Sequence, residues 1–290
     1  MSGRTGTQKQ AVLVTGAGAG IGAALVRRLA EREFAVFAAV HKDDGALAGV
    51  PGVTVVPLDV TDPDAVGRAA DDVAAHPAAA GGLRAVVNNA GVIVQGPLEL
   101  VPPAELQRQF AVNTLGPAYV TQALLPLLRA GGGRVVNVSA PTARVAMPLF
   151  GALSGSKAAL ASFSDALRLE LAAWRIPVVV VEPGATDTRI FTKAADAAGR
   201  ATATADPRRV ALYENHLAAL AKAVARQRNR PLEPVVRTLV KAVETARPKR
   251  HYAVGDARAA GLLSRLPAPV RGRVLARALG LNGVTPGTAR

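Results

Sequence analysis

Cysteine is absent from the 290 residues, and aromatic side chains are scarce: one Trp, three Tyr and six Phe. Without a thiol there is no disulfide framework, no thiolate nucleophile and no Cys-ligated metal, and a reducing compartment fits such a composition. Four histidines (His41, His76, His216, His251) lie too far apart in sequence to suggest a ligand cluster. No apolar run approaches the roughly 18 residues of a membrane span, and the start, MSGRTGTQKQ, is too polar for a signal peptide. A soluble cytoplasmic protein is the expectation. Half of the residues are hydrophobic, which supports a sizeable core and excludes disorder throughout. The length suits one large α/β domain or two small ones.

Acidic residues are the other shortage, 21 against 35 Lys+Arg, for a net charge of +14. Such a balance raises nucleic acid first, because cations facing phosphates bind without regard to sequence. The excess is local, however. Residues 200–290 hold 18 Lys+Arg and 5 Asp+Glu, a net +13, whereas residues 1–199 hold 17 and 16, a net +1. Tyr213 and Tyr252 are the only aromatics of that last third, so the stacking platforms of single-strand binders are missing and nucleic acid is not favoured. A solvated Arg-rich face is one reading; a surface for phosphate, an anionic substrate or a membrane is the other.

What is present is an alternation. Residues 11–14, 35–40, 53–58, 84–88, 134–139, 177–182 and 251–254 read as strands, and residues 21–32, 63–75, 104–129, 153–174 and 232–246 as helices. Asp62 before Pro63 is a helix-start pair. Strands alternating with long helices imply an α/β protein with a Rossmann-type, doubly wound parallel sheet of about seven strands, helices on both faces. No linker splits the chain, so residues 1–290 read as a single domain. Residues 185–231 interrupt the alternation beyond the sixth strand, where an insertion is placed to cover a ligand as a substrate lid. Residues 258–281 form a basic amphipathic extension, two short helices split by Pro267 and Pro269, docked on its own domain or on a membrane surface.

The strongest local signal is Thr15-Gly16-Ala17-Gly18-Ala19-Gly20-Ile21-Gly22, between the first strand and the first helix. Glycines there let the backbone turn sharply and approach a pyrophosphate, while the helix start offers unpaired N–H groups and a positive dipole end. Asp59-Val60 ends the third strand, where a carboxylate can accept from an adenine amino group. Asn89-Ala90-Gly91, after Asn88, gives a small-residue turn for ribose. Pro183-Gly184 ends the sixth strand, with Thr186 and Thr188 beyond it as partners for a carboxamide.

Together with Asn113 and Lys157, these motifs resemble the short-chain dehydrogenase/reductase family in order and separation, over about residues 10–280. The strand His251-Tyr252-Ala253-Val254 with its basic tail looks closest to the retinol and 17β-hydroxysteroid dehydrogenase-like branch. The resemblance implies a nicotinamide cofactor. His41 and Lys42 after the second strand, with no carboxylate before Asp43, favour NADP(H) over NAD(H); if they are only a solvated turn, either cofactor binds. It further implies a small-molecule substrate, here apolar, and a homo-oligomer (dimer or tetramer) paired through the helices beginning near Ala104 and Leu153. No metal is expected.

The resemblance also implies a proton-donating Tyr four residues before Lys157 and a carbonyl-steadying Ser after the fifth strand. Leu153 and Ala140 stand at those places, 13 residues apart. Neither side chain handles a proton or an oxyanion, effects commonly worth about 10²-fold each. Ser139, next to Ala140 on a strand, points to the opposite face, and Ser154 is turned about 100° from Leu153 on a helix. Lys157 and Asn113 remain catalytic candidates, and Tyr213 and His216 of the insertion are candidate acids or a solvent-facing pair. Three functions fit: an atypical oxidoreductase acting on an iminium or conjugated acceptor, a non-redox cyclase, dehydratase or isomerase, or an NADP-binding pseudoenzyme.

Overall fold

The computed structural model describes residues 9–42, 45–226 and 228–287. Residues 1–8 of the polar start and Asp43 lie outside the described residues. Seven parallel strands form one sheet in the order β3-β2-β1-β4-β5-β6-β7. They are β1 (Ala11–Thr15), β2 (Ala35–Val40), β3 (Val53–Pro57), β4 (Leu83–Asn88), β5 (Val135–Val138), β6 (Val178–Pro183) and β7 (His251–Val254). The order reverses direction between β1 and β4, so a crevice opens at their carboxyl ends.

Alternation along β1 explains the layers. Val12 and Val14 face one core with α1 (Gly20–Glu31) and α8 (Glu233–Glu244), built on Leu25, Leu29, Val236 and Leu239. Ala11 and Leu13 face the other, with α2 (Pro63–Ala75) and α4 (Gly116–Ala130) supplying Val66, Val73, Leu124 and Leu128. Both faces are therefore buried, as parallel sheets require. α2 starts where expected: the Asp62 carboxylate accepts from Asp64 N and Ala65 N.

Two sequence expectations are refined. The helix expected over residues 104–129 is interrupted: α3 (Pro103–Phe110) passes through a π turn, Ala111–Leu115, into α4. The cause is tertiary, since Gln109 and Asn113 both bond the backbone after β4. The insertion is two helices, α6 (Ile190–Thr204) and α7 (Pro207–Arg226). Its ends are stitched by Arg230 N to Ala185 O (2.9 Å) and Asp187 N to Arg230 O (2.8 Å). α5 (Gly151–Glu170) carries Lys157, and α9 (Ala257–Leu263) and α10 (Ala268–Ala278) form the tail. Pro267 marks the break, while Pro269 sits in the first turn of α10, where a missing N–H costs no helical bond. Among the described residues no helix is long and apolar enough to cross a membrane.

The end of α8 shows how a buried cation can replace a cap. Arg84 donates to Val243 O (3.2 Å) and Glu244 O (2.8 Å), and Arg134 to Ala242 O (2.9 Å) and Thr245 O (2.6 Å). Carbonyls at the negative end of a helix are thereby satisfied. Burial, helped by Arg84, lowers Arg134 to about 10. Arg134→Ala is expected to destabilise the protein by about 2–4 kcal/mol through unpaired carbonyls and a cavity, read as a shift in the urea midpoint.

Candidate functional site

The glycine turn is shaped by how closely β1 and β4 end. Gly16 and Gly20 have φ of +64° and +55°, and a Cβ at Gly16 would lie 2.7 Å from Ala90 Cα. At Gly22 it would stand 2.2 Å from Gly16 O. Thr15 Oγ1 accepts from Asn89 N (3.1 Å) and Ala90 N (3.0 Å), while Asn89 Nδ2 donates to Thr15 O (3.0 Å) and Gly16 O (3.2 Å). At the start of α1 no side chain caps the N–H groups and no acidic residue occupies the first turn. Open donors at the positive end of a helix suit a pyrophosphate, so the cradle fits a dinucleotide.

A cavity of about 890 Å³ runs from this turn beneath the insertion. Of the sequence-predicted cofactor residues, Gly16, Gly18, Ala19, Gly20, Ile21, Asn89, Ala90, Gly91, Lys157, Pro183, Gly184, Thr186 and Thr188 line it. His41, Lys42, Asp59 and Val60 do not; they stand past the β2 and β3 ends, the Lys42 backbone 3.8 Å from a Cβ placed on Gly18. Asp59 accepts from Thr61 N (2.9 Å) and Thr61 Oγ1 (2.7 Å) and lies 3.4 Å from His41 Nδ1. Burial pushes Asp59 up, but the two Thr61 bonds and His41 together hold its carboxyl below the usual range.

Deeper in, Lys157 Nζ donates to Val138 O at 2.8 Å and lies near Gly91, 3.8 Å from a Cβ placed there. Leu153 and Ala140 line the same wall. Leu153 is buried in an apolar cluster with Ile93, Phe150, Ala194 of α6 and Leu220 of α7, so it ties the insertion to α5 and the segment after β4. Ser139, next to Ala140, also borders the cavity. The backbone stays extended just past β5: Ser139 N donates to Val181 O (2.8 Å), and Ala140 has φ of −154° and ψ of 157°. The Ser139 and Thr142 hydroxyls are buried and have no hydrogen-bond partner in the structure. Ser154 is committed elsewhere: it donates to Phe150 O (2.9 Å) and accepts from Met147 N (3.2 Å).

Asn113 stands behind the cavity wall. Its Oδ1 accepts from Val92 N (2.9 Å) and its Nδ2 donates to Val92 O (3.0 Å), while Gln109 Oε1 accepts from Val94 N (2.6 Å) and Gln109 Nε2 donates to Val92 O (2.8 Å). The two amides act as a short strand edge for residues 92–94 and position Gly91. Gln109 escaped the sequence reading, because only the fold places it opposite that segment.

The insertion's candidate acids are not brought to the cavity. Tyr213 donates to Glu99 Oε2 (3.0 Å), which raises its pKa, and packs edge-on against His216. Neither residue lines the cavity; one turn further along α7, Leu220, Ala223, Val224 and Arg226 do, with Arg189, Ile190, Phe191 and Lys193 from the other side of the insertion. Another group missed from sequence is Glu182, 1% exposed, bonded to Arg144 (2.5 Å) and His251 (2.9 Å). A carboxylate inside the run VVVVEP was its available signal, since buried charges are paired. No cluster able to hold a metal exists among the described residues.

The short chain dehydrogenase family model matches residues 10–199. The chain is 36% identical over 189 residues to a 3-amino-tetrahydro-pyrrolizinone reductase of Xenorhabdus hominickii, covering 64% of this chain and 64% of that protein. It is 34% identical over 268 residues to estradiol 17-beta-dehydrogenase 2 of Rattus norvegicus, covering 85% and 68%. The crystal structure of a short chain dehydrogenase from Burkholderia cenocepacia in complex with NADP superposes with a TM-score of 0.72 at 28% identity, covering 92% of this chain and 98% of that one.

Burial lowers the Lys157 ammonium from 10.5 to about 8. Its charge therefore costs stability in full below about pH 8, and the cost fades toward 10.5 as the folded protein carries the neutral amine. Met would remove that cost but leave Val138 O unpaired, so the expectation concerns the pH dependence: the stability of Lys157→Met relative to the wild type falls by on the order of 3 kcal/mol between about pH 8 and 10.5. Urea unfolding at a series of pH values checks this; a difference independent of pH would contradict it.

Proposed function

The chain belongs to the short chain dehydrogenase family, and on that premise we propose that it is an NADP-dependent oxidoreductase of atypical proton chemistry. The observation that carries this is one stretch of cavity wall. The glycine turn, the Asn89, Ala90 and Gly91 turn and Lys157 line the cavity, and so do Leu153 and Ala140, the residues that in this reading replace a proton-donating and a carbonyl-steadying side chain.

Bound NADPH would supply a hydride. The glycine turn and the start of α1 would hold its pyrophosphate, and Lys157 its nicotinamide ribose. His41 and Lys42 stand where a 2′-phosphate is met in the NADP reading, and the solved relative in complex with NADP supports that preference. Asn113 then acts as a positioning residue, holding Val92 and hence Gly91. Leucine and alanine supply neither acid nor oxyanion donor, so an ordinary ketone would forgo about 10²-fold for each. An iminium, already charged, or a conjugated enone protonated away from this wall needs neither at the moment of transfer. Ile93, Met147, Phe150 and Leu220 make the same wall suited to an apolar substrate. The insertion serves as its lid, and α5, with exposed Phe163 and Leu169, supports a homo-oligomer.

Fluorescence titration of the full-length protein is expected to show saturable NADPH binding; failure to bind either nicotinamide nucleotide would sink the proposal. The double substitution Leu153→Tyr with Ala140→Ser is expected to raise reduction of simple ketones by about 10²-fold or more. An NADPH-binding double variant with no such gain would show that these are not the proton-handling positions.

A further inference from the structure

The tail carries a surface that the oxidoreductase reading leaves unused. α10 spans eleven residues, none of them buried. Helices this short are marginal in water without a packed face, yet Val270 and Val274 are 41% and 43% exposed, and Leu262 and Leu266, just before α10, are 67% and 39% exposed. Val270 and Val274 are four apart and lie along one face of α10. Arg273 and Arg277, also four apart, run beside them, as 100° per residue places Arg277 next to Val270 and Arg273 on its far side.

The charge is one-sided. Residues 257–290 contain six Arg and no Asp or Glu. Arg271 is occupied within the tail, donating to Ser264 O at 3.4 Å. Beyond α10 the chain is tied back to α7 by Asn215 Nδ2 to Thr285 O (3.0 Å) and Gly287 N to Leu212 O (3.2 Å). The helix is thus tethered on both sides while its aliphatic stripe faces outward. At its end Ala278 and Leu279 line the cavity, so this surface borders the opening.

We propose that α9 and α10 form an interfacial anchor that lies on an anionic lipid surface, with the aliphatic stripe in the acyl boundary and Arg273 and Arg277 among the headgroups. Aliphatic residues flanked by long cations, whose stems follow the apolar face while their heads reach the phosphates, are the arrangement such an interface rewards. A second copy of the tail fits less well, because two such faces would bring Arg against Arg with no carboxylate between them. Nucleic acid would answer the charge but not the exposed aliphatic stripe, and residues 253–290 contain no aromatic on which a base could stack. The proposal does not rest on the redox reading, and its test requires no turnover.

The test is sedimentation of the full-length protein with vesicles of phosphatidylcholine alone or mixed with phosphatidylserine. Binding to the mixed vesicles only, weakened by added salt, is the expected result. Arg273→Gln with Arg277→Gln is expected to weaken partitioning by roughly 30-fold, and Val270→Asp with Val274→Asp to remove it, with thermal unfolding showing each variant folded. Absence of wild-type binding, or equal binding by the Arg variant, overturns the proposal. So does a change of oligomeric state in the Val variant without vesicle binding by the wild type, which would assign the face to a second copy. Displacement from the vesicles by duplex DNA at equal phosphate concentration would assign it to nucleic acid.

Discussion

A Cβ at Gly22 would stand 2.2 Å from the Gly16 carbonyl oxygen and 2.7 Å from Asn89 Nδ2, and one at Gly16 would stand 2.7 Å from Ala90 Cα. The ends of β1 and β4 meet the first turn of α1 with no room for a side chain. Much of the site follows from that contact. It opens the crevice where the strand order reverses, points uncapped N–H groups into it and sets the Asn89, Ala90 and Gly91 turn along its wall. Gly91 in turn rests against Asn113, whose amide holds Val92 through two backbone bonds. The π turn that carries Asn113 is the helix adjusting to that bond pattern.

Local chemistry made much of this legible in the amino-acid order. β2, β7 and α2 occupy the residues expected, because an apolar run bounded by turn residues, or an Asp-Pro start, is decided locally. The cofactor residues were legible because glycine and small-residue turns are demanded by backbone geometry. What stayed hidden depends on partners distant in sequence. The π turn arises from bonds to residues 92–94, Glu182 is stabilised by Arg144 and His251, and Tyr213 is turned toward Glu99 rather than the cavity.

Leu153 has a second role that its sequence position did not reveal. In the cluster with Ala194 and Leu220 it joins α5 to both helices of the insertion. An aliphatic side chain there holds the insertion by apolar burial, where a phenol would have needed a hydrogen-bond partner. In the function proposed above, one residue thus removes an acid and closes the pocket. The net charge of +14 is unevenly spread: residues 1–199 are close to neutral, and residues 200–290 carry the excess.

Transfer of label from NADPH deuterated at nicotinamide C4 tests this most directly, with a cyclic iminium such as protonated 2-methyl-1-pyrroline set beside cyclohexanone as acceptors. If hydride transfer proceeds without an acid at Leu153, deuterium enters the amine product stereospecifically and the ketone stays essentially unreduced. Equal or faster deuterium transfer to the ketone, or retention of the label in NADPH with both acceptors, would contradict it.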